Sequence, residues 1–273
     1  MNTSLLTTNN KWLQDATNQL LSKNIKSARL DALIILEKIT GLPRIQLIAK
    51  KDIIIDQNSL NKMNNALLLR LKDMPIAYII GKSEFYGNEF EVNNDVLIPR
   101  PESESFVELV YKIEDKNLYI LDLGCGSGCL GISIKKVRPD FNVTLLDISL
   151  NALKIAKINA KISSVKVDFM ESSLLDKVTK NYEIIIANLP YVPEFLSNNN
   201  LSFEPRLALF GGKDGLEIYN KFWKQVFDLD NKPKYILTES LKSQHNDLKK
   251  LAINSGYHPT NTLGLVQMYK IND

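Results

Sequence analysis

The sequence predicts an α/β protein in which a mostly parallel sheet with an antiparallel edge strand is covered by helices on both faces and preceded by a small helical bundle. Three observations predict it. After Pro99, short apolar runs alternate with helical segments, the pattern of strand and helix units wound around a parallel sheet. One of those runs, Ile120 to Leu123, passes straight into Gly124-Cys125-Gly126-Ser127-Gly128, a strand–turn–helix junction. Before about Lys82, apolar residues instead recur at helical spacing.

The chain has 273 residues, 44% hydrophobic and 24% charged, a globular composition with the length of one large domain or two smaller ones. No stretch is apolar over the roughly 18 residues that a membrane span requires. The start, Met1 to Trp12, is polar, so no membrane association and no secretory signal are expected. Two cysteines form no disulfide framework, and a cytoplasmic protein is expected. The net charge of +3 is uneven: residues 1–83 carry 12 Lys or Arg against 6 Asp or Glu, and residues 84–273 carry 22 against 25. This basic front reads first as a solvated surface, because only 6 of the 34 basic residues are Arg, and second as a face for something anionic.

In chain order, Trp12, Ala16, Leu20 and Leu21, then Ala28 to Ile39, then Leu60, Met63, Leu67 and Leu71 mark helices. They break at Gly41-Leu42-Pro43 and Asp73-Met74-Pro75. Residues 84–92 alternate apolar and polar side chains around Gly87-Asn88, which predicts a hairpin turning there. Strands are predicted at Leu118 to Leu123, Asn142 to Leu146, Val165 to Phe169, Glu183 to Ala187 and Tyr235 to Thr238. Helices are predicted at Glu102 to Ile113, Gly128 to Val137, Leu150 to Ile162, Gly215 to Phe227 and Gln244 to Asn254. A last run, Leu263 to Lys270, is placed as the edge strand. The domains expected are a helical bundle at 1–82, a hairpin linker at 83–98 and the α/β domain at 99–273.

The glycine turn carries the strongest local chemistry. Its glycines let a backbone approach a ligand closely, and the helix start offers amide donors, so a nucleotide-like ligand is expected there. Gly126, Gly128 and Gly131 also match the dinucleotide fingerprint, but their first glycine lies two residues late relative to the strand end. Asp122 followed by Gly124, Gly126 and Gly128 suits a methionine tail bearing a sulfonium and a free amine. Asp147 ends the next strand, where a carboxylate accepts from a ribose diol, while Ser149 is the better helix cap. Glu171, one strand later, is read either as an acceptor for an adenine amine or as a plain loop acid.

The second feature is Asn188-Leu189-Pro190-Tyr191, at a strand's carboxyl end. An NH₂ group has two donors, which Asn188 Oδ1 and one backbone carbonyl can both accept. Residue 189 precedes proline and is held extended, which aims its carbonyl. Tyr191 supplies a ring for a planar group or a cation. Cys125 and Cys129 have no histidine near them in sequence, so no metal site is expected. His245 and His258 read as surface residues.

Taken in order, these residues resemble the class I methyltransferases that use S-adenosylmethionine, and more narrowly the peptide-chain release factor glutamine methyltransferases. The narrower resemblance rests on Pro75 to Gly81, Glu84-Phe85-Tyr86-Gly87, Val96 to Glu104, Asp122 to Gly128, Asp147-Ile148-Ser149, Asn188 to Tyr191, and Glu204 to Gly212 with Asp214-Gly215. It implies a Rossmann-like sheet, a helical bundle that recognises substrate, S-adenosyl-L-methionine as methyl donor with S-adenosyl-L-homocysteine as product, and class I release factors as the protein substrate. By position it implies cofactor binding at Asp122, Gly124, Cys125, Gly126, Ser127, Gly128, Asp147, Glu171 and Asn188. Substrate binding falls to Asn188, Leu189, Pro190 and Tyr191, with Asn188 and Tyr191 catalytic. The family usually has Pro at 189, and its acidic and aromatic adenine pair is here Glu171-Ser172. A monomer without direct nucleic-acid binding is expected. Rival readings are an adenine amino-methyltransferase of DNA or RNA, a non-catalytic binding module that keeps the cofactor fold, and, third, an NAD-dependent oxidoreductase.

Overall fold

The structure, a computed structural model, describes residues 7–196 and 203–272. It divides into two compact units, Met1–Gly81 and Lys82–Asp273.

The described residues of the first unit form the helices α1 (Asn9–Ser22), α2 (Ala28–Thr40), α3 (Arg44–Ala49), α4 (Gln57–Arg70) and α5 (Ile76–Ile80). Side chains of Thr8 and Asp56 accept from the first-turn amides of Lys11 and Ser59, which start α1 and α4 where no carbonyl is available. Gly41, at φ 69°, ends α2, a backbone state that costs glycine little. Trp12, Leu20, Leu36, Met63 and Leu67 bury together. Two buried polar groups fix the packing. Asn9 donates to Leu47 O at 2.9 Å and Lys50 O at 2.6 Å and accepts from Ile53 N–H. Asp31 pairs with Arg70 of α4 at 2.7 Å.

The second unit opens with the hairpin of β1 (Lys82–Phe85) and β2 (Asn88–Glu91). It turns on Tyr86-Gly87, one residue earlier than predicted, with Phe85 facing Asn88. Both turn residues have positive φ, 49° and 67°, as a two-residue loop between right-twisted strands requires. Tyr86 is held in that unusual state from two sides, its N–H on Glu104 at 2.8 Å and its hydroxyl on Glu108 at 2.7 Å.

The remainder alternates as expected: α6 (Glu104–Tyr111), β3 (Tyr119–Leu123), α7 (Cys129–Val137), β4 (Asn142–Asp147), α8 (Leu150–Ile162), β5 (Asp168–Glu171), β6 (Ile184–Ala187), α9 (Arg206–Leu209), α10 (Glu217–Asp228), β7 (Tyr235–Glu239), α11 (His245–Asn254), β8 (Tyr257–Leu263) and β9 (Val266–Ile271). The sheet order is β5-β4-β3-β6-β7-β9-β8, parallel from β5 through β7 and antiparallel at β7–β9 and β9–β8. Strand periodicity sorts the core. Ile120, Ile184, Ile186 and Leu237 face α6, α7 and α8, while Leu121, Leu123, Ile185 and Ile236 face α10 and α11, as alternate residues of a strand must. On the second face Trp223 makes edge contacts with Tyr257 at 5.7 Å and Tyr269 at 5.5 Å.

Two predicted strands move. Leu263 to Lys270 is not one edge strand but the inside of a hairpin: Gly264 turns with φ 61°, β9 pairs with β7, and the edge is β8. β5 begins at Asp168 rather than Val165, because Val165 N–H closes the end of α8 on Ala160 O and pairing starts only where Asp168 meets Thr144. His258 is exposed, as read from the sequence, but His245 is half-buried and its Nε2 lacks a partner among the described residues. No helix of the described residues is long and apolar enough to cross a membrane.

Candidate active site

β3 pairs with β4 on one side and β6 on the other. The chain leaves β3 into α7 on one face, and after β6 it reaches α10 on the opposite face. Crossovers that diverge in this way leave a crevice beyond the strands' carboxyl ends, where open α/β sheets bind ligands. A cavity of about 250 Å³ lies there, lined by Gly124, Gly126, Asp147, Ser172, Asn188 and Leu189 among others.

The glycine turn is stapled to the end of β4. Gly124 and Cys125 N–H both donate to Leu146 O, at 2.8 and 2.9 Å, and Gly126 N–H donates to Asp147 Oδ2 at 2.9 Å. Asp147 Oδ1 accepts from Ser149 N–H at 2.8 Å. Ser149 Oγ in turn accepts from Ala152 N–H and caps α8, so capping does fall to Ser149. Each Asp147 oxygen keeps a lone pair for the cavity. Burial pushes this carboxyl up from the ordinary aspartate range, against the amides that favour its charge.

Other predicted cofactor residues lie beneath the cavity, not in it. Asp122 is 1% exposed. Its Oδ2 accepts from Gly131 N–H at 2.8 Å, tying β3 to the first turn of α7 and using an amide that the sequence left for a ligand. Cys125 and Ser127 are buried. A side-chain carbon on Gly128 would stand 3.0 to 3.2 Å from Ile132, Leu145 and Ala156, so that glycine packs inward. Glu171 is exposed and off the cavity, while Ser172, buried, lines it with Leu174. Successive side chains leaving a strand point opposite ways, which puts the serine inward and the glutamate out.

Burial pushes the Asp122 carboxyl up to about 7, and its Oδ1 has no partner among the described residues. An acid raised above its unfolded value of 3.8 keeps its proton in the fold where the unfolded chain has lost it. Stability from this group therefore falls as pH rises from about 4 to about 7 and then levels off. Asp122→Asn should remove that slope. Chemical denaturation at pH 5 and pH 8 should show the variant gaining on wild type at the higher pH; an unchanged difference would contradict the assignment.

The turn after β6 is held from several elements. Asn188 Nδ2 donates to Ser103 Oγ at 3.0 Å. Tyr219 of α10 stands with its hydroxyl 2.8 Å from Ala187 O and 2.7 Å from Glu239 O, and takes Leu189 N–H at 3.3 Å. Tyr191 donates to Glu239 Oε1 at 2.8 Å, and Gln244 Nε2 to Tyr191 O at 2.9 Å. The two motifs touch: a side-chain carbon on Gly124 would stand 3.3 Å from Leu189 Cδ2. Asn188, Leu189 and Pro190 line the cavity, whereas Tyr191 does not. Ser103, Tyr219 and Glu239 were not singled out from the sequence. Glu239 ends a strand at the ligand-binding side, which is the signal that could have found it.

The family model described as PrmC N-terminal domain matches residues 11–81, and that described as Methyltransferase small domain matches residues 103–202. The chain is 38% identical over 200 residues to the release factor glutamine methyltransferase of Flavobacterium psychrophilum, covering 69% of this chain and 70% of that one. It is 39% identical over 210 residues to the one of Leptospira interrogans, covering 72% and 73%. The chain belongs to the release factor glutamine methyltransferase family. Among solved structures it is similar in fold to a methyltransferase from Pyrococcus furiosus, with TM-score 0.50, 17% identity, and coverage of 78% of this chain and 96% of that one.

The departures from this methyltransferase family's usual residues fall unequally on the structure. Leu189 is 4% exposed, so its side chain is spent on packing. Its carbonyl accepts no hydrogen bond among the described residues. At 171–172 the departure relocates the wall, since the glutamate leaves and the serine enters. Among the described residues no group of three His, Cys, Asp or Glu could hold a metal ion.

Proposed function

We infer that this chain moves a methyl group from S-adenosylmethionine to the side-chain amide nitrogen of the glutamine in the Gly-Gly-Gln loop of class I release factors. One observation carries the reading: Asn188 spends its Nδ2 on Ser103, which leaves Oδ1 as its cavity-side acceptor, next to the Leu189 carbonyl that nothing described occupies. Two acceptors side by side match the two N–H donors of a primary amide. The cavity suits the donor molecule as well. The Asp147 carboxylate fits a ribose diol, a bare backbone at Gly126 admits close approach, and Leu174 with Ile148 offers apolar walls to a base.

S-adenosylmethionine supplies an electrophilic methyl on a sulfonium centre. The protein's task is orientation, because an amide nitrogen is a weak nucleophile whose lone pair is delocalised. Asn188 and the Leu189 carbonyl bind both amide hydrogens and aim the nitrogen at the methyl group. As the C–N bond forms the C–S bond breaks, and the nitrogen then sheds its surplus proton to water, so no strong base is required. Tyr191 serves by holding the turn through Glu239 and Gln244. In this reading the first unit recognises the release factor, and the chain acts as a monomer in the cytoplasm without direct nucleic-acid contact.

The test is transfer of labelled methyl from S-adenosylmethionine to purified release factor, its Gly-Gly-Ala variant, and DNA in parallel. Label on the first alone supports the reading. Label on DNA would move the function to adenine amines, and label on none, with cofactor bound, would leave a binding module.

A further inference from the structure

The groups that hold the proposed amide site converge on one buried carboxylate. Glu239, the last residue of β7, is 1% exposed and does not line the cavity. Its Oε1 accepts from the Tyr191 hydroxyl at 2.8 Å, its Oε2 has no hydrogen-bond partner among the described residues, and the side chains of Ser103 and Asn188 both act on this carboxyl. Ser103, itself 3% exposed, takes Asn188 Nδ2–H on its oxygen. That leaves the Ser103 hydroxyl hydrogen available to the carboxylate it acts on.

We propose that Glu239 is a positioning residue, and that the chain Glu239–Ser103–Asn188 selects which way the Asn188 amide faces. The proposal rests on the glutamine reading above. An amide side chain can rotate by half a turn and exchange its acceptor for a donor with little change in shape. With Asn188 reversed, its NH₂ would meet the NH₂ of the substrate, and one of the substrate's two acceptors would be lost, leaving only the Leu189 carbonyl. Ser103 alone is indifferent, since a hydroxyl both donates and accepts. A carboxylate is not, because it only accepts. It draws the Ser103 hydrogen toward itself, which presents the Ser103 lone pairs to Asn188 and forces Nδ2 to that side. The same carboxylate orients Tyr191 three residues on, so one anion fixes both ends of the turn.

The remaining groups facing Glu239 sharpen the expectation for pH. Glu102, from the turn at Pro101–Ser103, is an anion, and Tyr191 and Tyr219 are neutral phenols; Arg100 acts on Tyr191 and the paired β9 residue is Val266. Burial and Glu102 raise the Glu239 carboxyl, while Ser103, Tyr191 and Asn188 hold it down, with the net shift upward. Once protonated it donates, and the polarity of the chain is no longer imposed.

The experiment compares wild type with Glu239→Gln and Ser103→Ala in methyl transfer to release factor, across pH 5 to 9, with S-adenosylmethionine affinity measured by calorimetry. In both variants kcat should drop on the order of 10- to 100-fold, the usual cost of losing a partner that orients a binding side chain, with donor affinity within a few-fold of wild type. Wild type should lose kcat toward acid pH, and Glu239→Gln should lack that limb. Full activity in both variants, or an acid limb retained in Glu239→Gln, would overturn the proposal. So would equal losses in kcat and donor affinity, which mark a general packing defect. A wild type that labels no glutamine would instead overturn the functional reading on which the proposal stands.

Discussion

Asn188→Ala is expected to leave S-adenosylmethionine affinity within a few-fold of wild type and to cut turnover by about three orders of magnitude, the scale at which orientation and a placed acceptor contribute to a reaction. The side chain is half-buried; it donates to Ser103 and acts on the Glu239 carboxyl, which keeps Tyr191 after truncation, so no buried charge is stranded and the fold should hold. What disappears is one of two acceptors for the substrate amide. The Leu189 carbonyl then binds a single N–H, the nitrogen swings about that bond, and few of its orientations face the methyl group. Asn188→Asp is the sharper companion. It keeps the acceptor and the shape but cannot donate to Ser103, and it adds a second anion near Glu239, so it too should be slow. Calorimetry for the donor and single-turnover methyl transfer separate the effects. Equal losses in affinity and in rate would sink the assigned role of Asn188.

The second large effect falls on binding. Asp147→Ala should weaken S-adenosylmethionine by at least about 100-fold, because hydrogen bonds to a charged acceptor are worth about 1.5–3 kcal/mol each and a ribose diol presents two. Truncation also frees Gly126 and Ser149 N–H, so the glycine turn loses a staple to β4. Two other staples remain, from Gly124 and Cys125 to Leu146 O, and the unliganded fold should survive. Asp147→Asn, which keeps one acceptor, should fall between alanine and wild type. At saturating donor, turnover should recover to within a few-fold in both variants. Recovery that fails at saturation would show that Asp147 acts on the reaction and not on the ribose.

Both effects concern residues legible in the sequence, and the reason is local. Asp147 ends a strand of the parallel sheet and Asn188 directly follows one, and strand ends are marked by the change from apolar runs to glycine, acid or proline. Period and punctuation are properties of a few consecutive residues, so they survive in the bare chain. Asp122 shows the limit of that kind of reading. Its position two residues before Gly124 is the same whether it faces a ligand or the start of α7, and the choice was made by Gly131, nine residues on, whose amide it holds. Glu171 and Ser172 differ by one residue along the chain and by a full reversal of direction in space.

By itself the sequence determined the helical front, the alternation that makes a parallel sheet, the glycine turn, and the proline-fixed turn Asn188-Leu189-Pro190-Tyr191, because each follows from short-range periodicity or from the stereochemistry of glycine and proline. Only the tertiary structure decided the site's supports. Ser103, Glu239 and Tyr219 lie 85, 51 and 31 residues from Asn188 in sequence and meet its turn from just before α6, from the end of β7 and from α10. Such contacts depend on sheet order and burial, which are set by the whole core at once. A carboxylate that looks like one more acid in the chain thus becomes, when the strands close around it, the anion on which the turn is oriented.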